Sequence, residues 1–339
     1  MQEPACLLRQ IYIYPIKSLR PIEPQSAVAT KLGFEYDRRF MLLKVLENGD
    51  LENMHVAYYP ELVRFFPAID IEDDEQPEKA SICVTHKPVH GDVSTITVPL
   101  LPDTDRLEMF DIEMHRSPTS AYDMGREYND WFSKCLRYRV IFAYLGRNTR
   151  AVLMSAKQDD AGKTSWISPI SSFLPTAIGS LIQTQAKTIG FADCAPYLVV
   201  SNTSLQDVSR RMTDGEAVDI EKFRPNIIID GANKPWEEDF WAELDFGHAK
   251  LDLLHNCVRC QSLNIDYGTG KFGTGESGKV FRKLQSDRRV DGGAKYSPVF
   301  GRYSFLHGND ERQFISVGDQ VVVTRRNDKR TVFDWPGLG

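Results

Sequence analysis

The chain has 339 residues, 42% of them hydrophobic and 26% charged, with a formal net charge of -6 at neutral pH. This is the balance of an ordinary globular protein, long enough for two domains and for a core that needs no disulfides. The negative charge argues against non-specific nucleic-acid or anionic-membrane binding as the main activity, and no window approaches the ~18 consecutive apolar residues that would cross a bilayer.

The N-terminus, MQEPACLLRQIYIYPIK, has neither a charged n-region ahead of an apolar core nor the Arg- and Ser-rich character of a transit peptide. We therefore expect an intracellular, cytoplasmic protein. In such a compartment Cys6, Cys83, Cys135, Cys194, Cys257 and Cys260, scattered except for the last two, read as free thiols.

In chain order, LLRQIYIYPI is β-branched and aromatic and stops at Pro15. RFMLLKV and LENMHVAYY flank the turn LENGD and predict a hairpin. VRFFPAIDI follows as a strand, then DIEDDEQPEKA as a solvated acidic loop, then ASICVTHKP and STITVPL as two strands around Gly91-Asp92. At YDMGREYNDWFSKCLR the period changes: Met124, Tyr128, Trp131, Phe132, Cys135 and Leu136 repeat at helical spacing, which puts Cys135 on a buried face. YRVIFAYL returns to strand. Residues 146–175 are weakly patterned, and a domain boundary is expected there. Beyond it, APYLVVS reads as a strand, and Ser204 with Asp207 as a capping box opening the helix SLQDVSRRM. RPNIIIDG, AELDFGHAKLDLLH, RYSFLH and DQVVVTRR are strand-like. The expected fold is mixed α+β and β-rich, in two pieces.

Three features bear on chemistry. The stretch LLHNCVRCQSLNID holds Cys257 and Cys260 behind His255. A structural zinc site wants four ligands and usually a second cysteine pair, and none follows. A redox dithiol normally opens a helix, and these residues are strand-like. Two small apolar residues in a sheet remain the plain alternative. GTGESGKV, from Gly273 to Val280, resembles a phosphate-binding loop, but Val280 stands where Ser or Thr would hold magnesium; it reads as a flexible Gly-rich loop. Lys17, Arg39 and Arg224 each sit at a strand-to-turn junction, where cationic side chains can grip a phosphate dianion.

IYIYPIKSLRP and LGFEYDRRFMLL, followed by FADCAPYLVVSNTSLQDV, FRPNIIID, CVRCQSLNID, SPVFGRYSFL and ISVGDQVVV, resemble in order the MOSC family, named for the C-terminal domain of molybdenum-cofactor sulfurase. Within it they are most similar to the amidoxime-reducing-component type. The resemblance implies an N-terminal β-barrel module at 5–148, a C-terminal MOSC β-barrel domain with a few helices at 165–326, and a tail at 327–339. It implies a pterin-based molybdenum cofactor (Mo-molybdopterin) with Cys260 as the thiolate ligand. Soft sulfur ligation suits such a metal. By the same resemblance Lys17, Ser18, Arg39, Cys194, Arg224, Asn226, Val258, Arg259 and Tyr303 fall at cofactor-site positions, and Asp193 is the candidate for orienting substrate or water. Cys194 and Ala195 stand where the animal enzymes carry hydroxyl side chains, which weakens the expected grip at that edge.

The activity implied is reduction of N-hydroxylated substrates, with electrons from a small haem cytochrome and its NADH-dependent flavin reductase. A cofactor carrier or sulfur-transfer protein is the alternative. A pyridoxal-phosphate protein ranks last, because no lysine stands out as a Schiff-base former.

Overall fold

A computed structural model of the protein describes residues 6–71, 79–155, 187–213, 215–308 and 312–338. Most of the expected acidic loop (72–78) and much of the expected boundary (156–175) lie outside them. Strands dominate, and the described residues hold three α-helices: α1 at Arg126–Leu136, α2 at Asn202–Arg210 and α3 at Val280–Gln285.

Seven strands close into a barrel in the order Cys6–Ile11, Ile227–Asp230, Tyr197–Ser201, Val299–Leu306, Lys250–Val258, Trp241–Asp245, Gln320–Arg326, and back to Cys6–Ile11. Its lumen is filled by Leu8, Ile11, Tyr197, Val199, Ile227, Ile229, Trp241 and Leu253 among others. Alternation drives this. In Cys6–Ile11, Cys6 and Leu8 are buried while Leu7 and Arg9 face out, as a pleated strand with one dry face requires. The barrel joins both ends of the chain: Leu7 pairs with Asp230 and Gln320, more than two hundred residues away.

The other module is open. A five-stranded sheet (Leu51–Asn53, Phe40–Val45, Val140–Tyr144, Ser117–Asp123, Met109–Met114) and a three-stranded one (Phe65–Asp70, Ser81–His86, Ser94–Pro99) share a core with α1. Phe132 and Leu136 of α1 are buried there, with Tyr128, Trp131 and Cys135 packed at the edge. The Phe40 and Phe142 rings stack at 5.3 Å, and Phe132 tilts onto Phe142 at 4.8 Å.

Two local expectations change. The helix expected from Ser204 starts two residues earlier, at Asn202, after the extended Ser201. Ser204 is not a cap: its buried Oγ donates to Glu238 Oε2 (2.7 Å) and accepts from Trp236 N (2.7 Å). The Gly-rich loop is more ordered than expected. Glu276–Lys279 forms a 3-10 turn running into α3, and the Lys279 and Lys283 ammonium groups pair with Glu276.

Candidate active site

Between the two modules lies a cavity of about 480 Å³ lined from both. The chain enters its wall straight after the first barrel strand. Lys17 N bonds Phe40 O, and Ser18 takes a left-handed backbone (φ 71°) with its hydroxyl donating to Met54 O at 2.8 Å. From the barrel, strand Lys250–Val258 ends at the rim. Arg259 N bonds Pro298 O, and Cys260 starts the 3-10 turn Gln261–Asn264.

One part of the lining is cationic. Arg38, left-handed at φ 50°, pairs with buried Asp37 at 2.5 Å and donates to Asn226 Oδ1 (3.0 Å) and Arg224 O (3.3 Å). Arg224, left-handed at φ 54°, lays its guanidinium over the Tyr14 ring at 4.4 Å. Arg259 donates to Phe223 O (2.7 Å) and Cys257 Sγ (2.9 Å). Nη2 of Arg224 and Nε of Arg259 are buried without a hydrogen-bond partner. A buried donor with no acceptor costs about 1–3 kcal/mol, and the positive charge of the three guanidinium groups suits the cavity to an anion.

Another part gathers around Asp193. Buried Lys17 donates to Phe191 O at 3.0 Å and pairs with Asp193, while His115 Nε2 lies 3.2 Å from Asp193 Oδ1. The Asp193 side chain keeps 54% of its surface accessible. Burial pushes its pKa upward, but Lys17 and His115 outweigh that and hold it well below the usual carboxylate range. His55 stands beside His115 with ring centroids 5.1 Å apart. Burial, then the Lys17 ammonium, lowers the His55 pKa to about 4, so its ring is neutral at physiological pH.

Backbone geometry here is unusual. His115 and Arg116 have φ of 52° and 65° at the turn joining Met109–Met114 to Ser117–Asp123. Hairpin turns of this hand normally use Asn or Gly. The turn is held from outside: Trp335 Nε1 donates to His115 O at 2.8 Å, and Arg150 reaches Met114 O at 3.4 Å. The fully buried Arg150 also donates to the backbone oxygens of Gly190 (3.0 Å), Ala192 and Asp193 (2.5 Å). It thereby fixes the segment that presents Asp193.

Of the six cysteines, Cys260 alone is exposed. Its sulfur lies 3.2 Å from Ser262 Oγ. Cys257 is buried beneath it in the strand, against Arg259.

Of the residues marked from sequence, Lys17, Ser18, Asp193, Arg224, Asn226, Val258, Arg259, Cys260 and Tyr303 line this cavity. Arg39 and Cys194 do not. The left-handed turn at Arg38 sends Arg38 into the cavity, while Arg39 donates to Gly146 O outside it. Cys194 packs into an apolar cluster with Met154, Ile189 and Trp335, and burial raises its pKa strongly, so it stays a thiol. Ser18 and Asn226 spend their polar atoms on the protein: the Asn226 amide serves Tyr12 O, Asp37, Arg38 and Leu198 N. Lys17, the lysine of the cavity, is committed to Asp193 and Phe191, which does not favour a Schiff base. Arg38, His55 and His115 went unmarked. They lie in loops and turns where no spacing signals convergence.

The fold, a closed barrel beside an open one with a cavity lined from both, agrees with the family to which the chain belongs, the MOSC-domain family. The model of the MOSC N-terminal beta barrel domain matches residues 5–139 and that of the MOSC domain residues 186–322. Over 329 residues the chain is 25% identical to the Homo sapiens protein named molybdenum cofactor sulfurase, a match covering 93% of this chain and 32% of that protein. Over 320 residues it is 26% identical to mitochondrial amidoxime reducing component 2 of Bos taurus, covering 92% of this chain and 81% of that one. Mus musculus mitochondrial amidoxime-reducing component 1 is likewise 26% identical, over 321 residues. The chain thus spans only about a third of the sulfurase length. No helix among the described residues is long and apolar enough to cross a membrane.

Proposed function

We propose that this cavity holds a pterin-based molybdenum cofactor, with the Cys260 thiolate as the protein's ligand to the metal, and that the protein reduces N-hydroxylated compounds. The observation carrying this reading is the exposed Cys260 in a cavity lined also by Arg38, Arg224 and Arg259. The names of the amidoxime-reducing relatives support the substrate class.

When bound, such a cofactor supplies two-electron chemistry at its metal. The chain's own residues do the rest. Arg224 and Arg259, which line the cavity, would hold the cofactor's phosphate by their charge, and Arg38, already paired with Asp37, would add field rather than a free fork. Ser18 and Asn226 shape the wall from which these groups project. Asp193, kept ionised and half accessible, accepts a hydrogen bond from the substrate hydroxyl or from water. His115, in contact with it, is placed to hand over a proton as the N–O bond breaks. Electrons arrive from a small haem cytochrome served by an NADH-dependent flavin reductase.

The similar likeness to the sulfurases favours a second reading, a protein that carries the cofactor without turnover of its own. The test measures molybdenum and pterin in wild type and Cys260→Ala purified from a cofactor-making host, then reduction of an amidoxime by a chemically reduced donor. We expect stoichiometric molybdenum and turnover in wild type and neither in the variant. Full activity in Cys260→Ala refutes the thiolate assignment; cofactor without turnover selects the carrier.

A further inference from the structure

His55, His115 and Asp193 meet in one part of this cavity. Their donor atoms all lie within 4.8 Å of one another. We propose that these three side chains bind a divalent transition metal of the zinc class, at a site separate from the Cys260 thiolate.

The spacing carries the argument. Ligand bonds of ~2.0–2.1 Å in a tetrahedron put neighbouring donor atoms about 3.3 Å apart. His115 Nε2 and Asp193 Oδ1 stand 3.2 Å apart, at ligand spacing without an ion. His55 supplies the third donor from the loop after Leu51–Asn53, within 4.8 Å of the other two. Two imidazoles and one carboxylate form a borderline donor set, which suits zinc, cobalt or nickel; calcium and magnesium prefer oxygen alone. Three protein ligands leave a fourth position open to the cavity for water or a ligand oxygen.

The outer shell is also in place. Trp335 holds the turn that carries His115, and Arg150 and Lys17 fix Asp193. Such supports orient ligands in metal sites. The opposing group is Lys17, whose ammonium shares Asp193 Oδ1 with the incoming ion. Oδ1 keeps a further lone pair for the metal, but the nearby positive charge sets the affinity below that of a closed structural site.

The site shares His115 and Asp193 with the proton chemistry proposed above, which belongs to the form without this ion, and its test reads ion binding rather than turnover. Protein cleared of loosely held ions by a chelator is titrated with cobalt(II), and the visible absorption of the bound ion is followed, with zinc added afterwards to displace it. Wild type is compared with His55→Ala, His115→Asn and Cys260→Ser, each checked for native circular dichroism. Asn is used because it tolerates the left-handed backbone of that turn. We expect a saturable one-to-one band, unchanged in Cys260→Ser and weakened at least ~10-fold in each histidine variant. Absence of a saturable band, a band indifferent to both histidines, or a band lost with Cys260 overturns the proposal.

Discussion

Arg150→Met tests whether one buried guanidinium organises the wall that carries Asp193. Methionine replaces most of the stem, so packing is largely kept. What disappears is the donor set to Gly190 O, Ala192 O, Asp193 O and, at 3.4 Å, Met114 O. The long contact to Met114 counts for little, and water can reach the oxygen of the half-accessible Asp193. Two buried acceptors, at Gly190 and Ala192, are then left without a partner, at ~1–3 kcal/mol each. The guanidinium also lies 5.6 Å from the Trp335 ring, a contact of about 1 kcal/mol. Against this, burial has driven the Arg150 pKa down to about 10, a sign that the charge itself is costly there. The net expectation is a loss of about 2–4 kcal/mol. Urea unfolding read by tryptophan fluorescence and circular dichroism measures it, as a lower midpoint with unchanged slope. Turnover should fall further than cofactor content, because Asp193 loses its fixed position while Cys260 keeps its own. A stability change under about 1 kcal/mol with full turnover would refute the reasoning.

Burial, then Asp239, pushes Glu238 up to about 7 from an ordinary 4.5. Across that window Glu238 holds a proton in the native protein that the unfolded chain has released, so its contribution to stability falls as pH rises through it and levels off above, while His55, lowered to about 4, contributes with the opposite sign. Glu238→Gln should remove the falling share due to Glu238, leaving those of Glu221 and His55, and should be more stable than wild type at about pH 8. Urea midpoints across the range decide it; an unchanged slope contradicts the assignment. Arg38→Met and Arg39→Met form a second comparison. The first should lower cofactor content and the second leave it near wild type, since only Arg38 lines the cavity; the reverse order would place the cofactor elsewhere.

The strands were legible because alternation and β-branched residues mark a half-buried pleat, and α1 because its apolar residues repeat at helical spacing. Ser204 misled because a hydroxyl three residues before an acid satisfies the capping pattern, yet its partners Glu238 and Trp236 come from a distant turn. Barrel closure was not legible either. Nothing local in Cys6–Ile11 specifies Ile227–Asp230 on one side and Gln320–Arg326 on the other. At the site, Cys260 carried its signal in the sequence around it. The choice between Arg38 and Arg39 depended on one left-handed residue that reverses which side chain faces inward. His55 and His115 reach Asp193 from loops of the other module, so only the packed structure shows their meeting.

The barrel that closes with the first strand has a consequence for biogenesis. As the chain leaves the ribosome, Cys6–Ile11 must wait for residues near 230 and then near 320 before both flanks are paired. Such separations in sequence make closure slow and leave strand edges open to wrong partners meanwhile. The open module, whose pairings fall between Phe40 and Tyr144, can collapse first and shield part of the waiting strand's neighbourhood. Severing the chain between the modules would therefore strip a stave from the barrel, and the C-terminal fragment would expose two raw edges instead of folding as a unit.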